Sequence, residues 1–143
     1  MGVTHAFSCA CGWNHGSTTG VPLSVTWCHC VDCRRESGAP AMVWAGWRDE
    51  QIGGALDHLV VRRTKPNVTR SRCAECGSTL AYRDRGLPDR AYIPIGAFDA
   101  PDDLVPTEHG FWPEKIDWLS FDDGLRRREA TTQSRVPASE TTG

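Results

Sequence analysis

The 143 residues include 39% hydrophobic and 24% charged side chains, a balance that predicts one globular domain with a modest core. A formal net charge of −2 exerts no pull toward nucleic acid or an anionic membrane surface. No apolar run approaches the ~20 residues of a membrane span, residues 1–9 lack the basic and apolar regions of an export signal, and Ala6 spoils a myristoylation context at Gly2. The expected location is therefore the cytosol.

Runs rich in β-branched and aromatic residues, punctuated by Gly, Pro and Asn, fall at 3–8, 25–27, 41–47, 58–63, 79–83 and 91–98. Residues 32–37 alone read as helical, about one turn, closing before Gly38 and Pro40. The pattern predicts a mainly β domain of short, strongly bent sheets. From Arg126 to Gly143 there is almost nothing to bury, and residues 126–143 are expected to be a disordered tail. The arginines at 126–128 read either as part of that solvated tail or as a binding patch.

The seven cysteines fall in three tight groups: Cys9-Ala-Cys11-Gly12, Cys28-His-Cys30-Val-Asp-Cys33 and Cys73-Ala-Glu-Cys76-Gly77. An odd count without an export signal argues against a disulfide framework, and clustered thiols in a reducing compartment bind metal. Zinc takes four thiolates in closed structural sites and three protein ligands in open catalytic ones, so seven suits one site of each kind. Spacing permits two divisions. Cys73 and Cys76 can close a site with Cys9 and Cys11, or with two cysteines of the middle group as in a zinc ribbon.

Glycine favours the first division. A knuckle turns tightly around its metal-bound sulfurs, and the residue after its last cysteine often needs positive φ. Gly12 and Gly77 meet that need, whereas Cys33 is followed by Arg34 and Arg35. Three thiolates on Zn²⁺ retain a negative charge that this arginine pair can compensate, although a solvated helical turn is the plainer account of the pair. His29 is a possible fourth ligand, but it lies between two ligating cysteines, where three adjacent side chains would strain to reach one ion.

Taken together, Cys-x-Cys-Gly, then Cys-His-Cys-x-x-Cys-Arg-Arg with Gly-Ala-Pro behind it, then Cys-x-x-Cys-Gly-Ser-x-Leu, resemble the glutathione-dependent formaldehyde-activating enzyme family, which also includes centromere protein V. The similarity continues through Ile95-Gly-Ala-Phe-Asp99, Pro106-Thr-Glu-His109, Trp118 and Asp122-Asp-Gly-Leu125, and it spans residues 5–125. The resemblance implies an Mss4-like β-tent of small antiparallel sheets pinned by zinc. It implies a structural zinc on Cys9, Cys11, Cys73 and Cys76, and a catalytic zinc on Cys28, Cys30 and Cys33. Two departures concern the C-terminal packing. Arg126 replaces the family's proline after Leu125, and Gly110 replaces a bulky apolar residue after His109.

A zinc held by three thiolates is soft and favours sulfur in its remaining position, where a small-molecule thiol loses its proton. The expected activity is that of a carbon–sulfur lyase handling adducts of a glutathione-like thiol with an aldehyde such as formaldehyde. A hydrolytic zinc–hydroxide is the weaker option, because three anionic ligands make zinc a poorer Lewis acid. Expected partners are the thiol and the aldehyde, with neither nucleic acid nor membrane.

Residues 62–72 hold five basic side chains and no acidic one, either a solvated hairpin or a patch for substrate carboxylates. Trp44 and Trp47 either line a pocket over the second zinc or pack in the core. Asp32 is a candidate proton acceptor or a cap for its turn. His109 is by family analogy a pocket residue, and otherwise a buried, hydrogen-bonded histidine. His5, His15 and His58 carry no signal. Two competing readings are a non-catalytic interaction module of the same fold class and a thiol-based redox or metal sensor.

Overall fold

The computed structural model describes residues 2–135. A three-stranded antiparallel sheet pairs β1 (Thr4–Ser8) with β2 (His15–Thr19) and β2 with β5 (Ile52–Ala55). The larger sheet has eight strands. Its order is β11 (Arg126–Arg127), β10 (Glu108–Gly110), β3 (Ser24–Cys28), β4 (Met42–Arg48), β9 (Leu87–Pro94), β8 (Thr79–Asp84), β7 (Val68–Cys73) and β6 (Leu59–Lys65). Among the described residues its ladders are antiparallel except where β10 runs parallel to β3 and to β11. No helix among these residues is long and apolar enough to cross a membrane.

Among the described residues the fold is mainly β with one short α-helix, α1 (Val31–Ser37), as the runs predict. The helix stops where expected. Gly38 adopts the left-handed conformation at φ 77°, and its N–H bonds the Arg34 carbonyl at 2.7 Å. Each of the six strand-like runs lies on a strand, with 91–98 turning at Ile95–Ala97 into a single 3-10 turn. The sequence reading passed over β2, β5, β10 and β11, which are short and rich in small or charged residues, and β7, whose two arginines disguise a central strand. Propensity describes fit to a half-buried sheet surface, and the neighbouring strands supply that surface here.

The two sheets close on Phe7, Val25, Ala45, Trp47, Ile93, Phe98 and Leu104. A separate cluster of Cys33, Trp44, Leu87 and Tyr92 occupies the opposite face of β4 and β9. Strand alternation explains the separation. Residues 44 and 47 are an odd number of positions apart, so their side chains leave β4 on opposite faces. Trp47 is fully buried in the core, and Trp44 packs against Cys33 of α1. The pocket and core readings of the tryptophan pair are thus each met by one of them. Gly46, between them, is paired with Tyr92, and a Cβ there would fall 2.7 Å from Tyr92 Cε1. Its missing side chain lets the Tyr92 ring lie against the sheet.

Residues 126–135, read from composition as the start of an unpacked tail, make defined contacts instead. The β11 strand pairs with β10, and Arg128 forms a bidentate pair with Glu108 at 2.9 and 3.0 Å. Composition reports apolar burial, whereas these contacts are backbone ladders and ion pairs. Residues 136–143 of the expected tail lie outside the described residues.

Candidate metal centres and the adjoining cavity

The first group of cysteines follows β1, and the third begins at the last residue of β7. Each turns back through a glycine, Gly12 at φ 80° and Gly77 at φ 77°, whose N–H bonds the carbonyl of the first cysteine at 3.1 and 2.9 Å. Backbone N–H groups of Asn14 and Cys76 point at the sulfurs of Cys9 and Cys73 at 3.4 and 3.5 Å. The four sulfurs of Cys9, Cys11, Cys73 and Cys76 lie within 4.8 Å of one another. Asn14, fully buried, locks this centre to the start of β6, because its amide donates to His58 O at 2.9 Å and accepts from His58 N at 3.1 Å.

Cys28, Cys30 and Cys33 form a second group within the same 4.8 Å limit, with no fourth His, Cys, Asp or Glu among the described residues. The sulfur of Cys28 lies 3.3 Å from that of Cys30 and 3.4 Å from that of Cys33. In the first site, neighbouring sulfurs are 3.5 and 3.7 Å apart. A tetrahedron with Zn–S bonds of ~2.3 Å has edges of about 3.8 Å, so both groups suit a tetrahedral thiolate site such as zinc's. Cys28 ends β3, Cys30 caps α1 by accepting the Cys33 N–H at 3.3 Å, and Cys33 sits in the first turn.

Without a cation, three such sulfurs cannot all ionise. Hydrogen bonds from Cys28 and Cys30, with Arg70 behind them, hold Cys33 well below the ordinary thiol range. Sharing with Cys30 and Cys33 pushes Cys28 far up. A bound dication relieves that conflict by stabilising all three as thiolates.

His29 is not the fourth ligand. In the extended Cys-His-Cys segment alternate side chains leave on opposite sides, so the His29 ring points away from the sulfurs. It is fully buried, with Nε2 2.9 Å from His109 Nδ1, and His109 Nε2 lies 2.7 Å from an Asp123 carboxylate oxygen. Trp27, Trp112 and Phe121 pack around the two imidazoles. Burial first, then His109 and Lys115, lower the His29 pKa to about 4, so the ring is neutral near pH 7. An ionised Asp123 accepts from His109 Nε2–H, which leaves His109 Nδ1 to accept from His29 Nε2–H. The His29 Nδ1 atom without a partner is then a bare lone pair, a smaller cost than an orphaned N–H. His109→Ala removes a buried ring and strands His29, and should cost about 3 kcal/mol or more, read from the urea midpoint. An unchanged midpoint would show that the pair contributes nothing to packing.

A cavity of about 760 Å³ opens beside the middle cluster and is lined by Cys28, Cys30 and Cys33 with Trp44, Tyr82 and Tyr92. Of the side chains expected at substrate, Arg35 and Trp44 are on its wall, while Arg34 and His109 are not. The basic stretch 62–72 divides by function. Arg62 and Arg72 clasp Glu36 on α1, and Lys65 clasps Asp32, which neither caps the helix nor stands free. Lys65 also borders the cavity, and Arg70 turns fully inward. It is 6% exposed, with Nη2 3.7 Å from Cys33 Sγ and its guanidinium carbon 5.0 Å from the centre of the Tyr82 ring.

The sequence reading offered Arg70 only within the whole basic stretch, and it missed Tyr82, Asp84, Tyr92, Thr131, Thr132, Gln133 and Arg135 as cavity residues. For Arg70 a signal exists, since it shares a strand face with the buried Val68. For the others there is none, because cross-strand pairing brings them together.

No curated protein sequence matches the chain. A crystal structure of a Rhodobacter sphaeroides protein superposes with a TM-score of 0.56 at 21% identity, covering 71% of this chain and 97% of that one. Likeness at that identity concerns the fold alone. The family model for the glutathione-dependent formaldehyde-activating enzyme matches residues 4–114, most of the chain and all seven cysteines. The chain belongs to that family.

Proposed function

We propose that the protein is a zinc-dependent carbon–sulfur lyase that joins a small thiol, such as glutathione, to an aldehyde such as formaldehyde, and reverses the reaction. The observation that carries this reading is a group of three cysteine sulfurs, with no fourth protein ligand among the described residues, on the wall of a small-molecule-sized cavity. Cys28, Cys30 and Cys33 would hold a zinc ion, which would supply a soft Lewis acid favouring the ionised form of a small thiol. A second zinc on Cys9, Cys11, Cys73 and Cys76 is structural.

The chain's own residues handle the rest. Trp44, Tyr82 and Tyr92 pack against the thiol and exclude water, while Arg70 and Arg35 offer donors to negative charge. The thiolate sulfur adds to the carbonyl carbon, forming the C–S bond. The carbonyl π pair moves to oxygen, which takes a proton from water to give the S-hydroxymethyl adduct. Free thiols perform this addition unaided, so the protein contributes thiolate concentration and orientation. A reducing compartment keeps such clusters as thiolates, which supports a cytosolic location.

The test is exchange spectroscopy of ¹³C-formaldehyde with glutathione at equilibrium, using protein shown to carry two zincs per chain. Exchange should exceed the protein-free rate and return to it when a chelator removes the metal. Exchange equal to buffer at full zinc occupancy would sink the reading.

A further inference from the structure

The family match ends at residue 114, yet Thr131, Thr132, Gln133 and Arg135 line the cavity of the middle cluster. Their path across the molecule is specific. Arg128 N bonds His109 O at 2.8 Å, and Trp112 N and Phe111 N bond the carbonyls of Arg128 and Ala130 at 3.0 Å each. Gly110 makes room for this path, since a Cβ there would fall 3.2 Å from Thr132 Cγ2 and 3.5 Å from the Ala130 carbonyl. A side chain at position 110 would push Thr132 aside by at least a few tenths of an ångström. Further on, Thr132 bonds Thr26 and the Tyr92 hydroxyl bonds Gln133, both at 3.4 Å.

The end of the path is pinned. Arg135 grips both oxygens of Asp84, a nearly fully buried carboxylate that also accepts from the Tyr82 hydroxyl at 3.1 Å and from Gly86 N at 2.8 Å. A Cβ at Gly86 would fall 2.7 Å from Arg135 Nη2, so a second glycine leaves space for this contact. Asp84 is shielded from water while the guanidinium stays partly exposed, so the pair is anchored at its buried carboxylate through two parallel hydrogen bonds.

We infer that residues 130–135 form a strap, pinned by Arg135 on Asp84, that selects the thiol. It narrows the cavity in which the non-reacting end of the thiol lies, and it holds the Gln133 amide toward that end, with Arg135 fixing the segment in place through Asp84. Polar, carboxylate-bearing thiols gain partners there, and bulky apolar thiols are excluded. The inference rests on the thiol–aldehyde reading, and it assigns selection to a segment outside the family's matched residues.

Two variants test it, a chain ending at Glu129 and Arg135→Met. Each should raise the KM for glutathione about tenfold with kcat nearly unchanged, and should narrow the preference for glutathione over benzyl mercaptan by a similar factor. A second measurement does not depend on turnover. Labelling of Cys28 and Cys30 by a bulky pyrene maleimide, followed by peptide mass spectrometry, should quicken about tenfold in both variants over wild-type protein of equal zinc content, with iodoacetamide, a small alkylating agent, reacting at an unchanged rate. Unchanged labelling and unchanged thiol preference would overturn the strap. If wild-type protein turns over no adduct, the thiol–aldehyde reading fails, and labelling still decides whether the strap closes the cavity. Should the shortened chain fail to fold, Arg135→Met carries the same test.

Discussion

Cys30→Ser is expected to give a folded chain that binds one zinc in place of two and has lost at least about 100-fold in adduct formation. The fold should persist for local reasons. Cys30 Sγ caps α1 by accepting the Cys33 N–H at 3.3 Å, and serine is itself a favoured N-cap acceptor. The helix is also clasped by Arg62 and Arg72 through Glu36 and by Lys65 through Asp32. What serine cannot supply is a soft anionic ligand, and two remaining thiolates hold zinc poorly. Metal analysis per chain, a thermal melt and the exchange measurement together read the outcome. A variant that unfolds would make the middle cluster structural, and a variant that keeps both zinc and activity would remove Cys30 from the site.

The second large effect is of the opposite kind. Cys73→Ser should abolish cooperative folding, read by near-UV circular dichroism and size-exclusion chromatography. Cys73 is buried with Cys9 and Leu80, and its site ties the end of β1 to the end of β7. A structural zinc contributes roughly 10–16 kcal/mol of apparent binding free energy, as much as the ~5–15 kcal/mol that separates a typical folded domain from its unfolded chain. The contrast between the two variants is the sharp result, since one loses chemistry and the other loses the fold. A Cys73→Ser chain that melts cooperatively at the wild-type temperature would show that packing alone holds the sheets.

Much of this was legible in local sequence. Gly12 and Gly77 marked the two matching turns because positive φ is a property of single residues, and Arg34 after Cys33 set the middle group apart. The same local logic found α1, its end at Gly38 and the six apolar strand runs. It faltered where the period of an element mattered more than its residue types. Trp44 and Trp47 read as one feature but leave β4 on opposite faces, and the basic stretch, read whole as a solvated hairpin or a substrate patch, divides between residues that clasp α1 and Arg70, which is buried against Cys33.

The sequence by itself favoured a division of the seven thiols into four and three, because the positive φ of Gly12 and Gly77 is settled within a few residues, and the structure draws the sulfurs into those two groups. Tertiary structure alone decided what surrounds the group of three. Arg70, Tyr82 and Tyr92 reach the cavity through the pairing of β7, β8 and β9, and His29 meets His109 because β3 lies beside β10. Residues 130–135 reach it along backbone bonds to Phe111 and an ion pair with Asp84. Contacts between residues dozens of positions apart leave no periodicity in either segment, so composition made a tail of residues that the folded chain places against its candidate site.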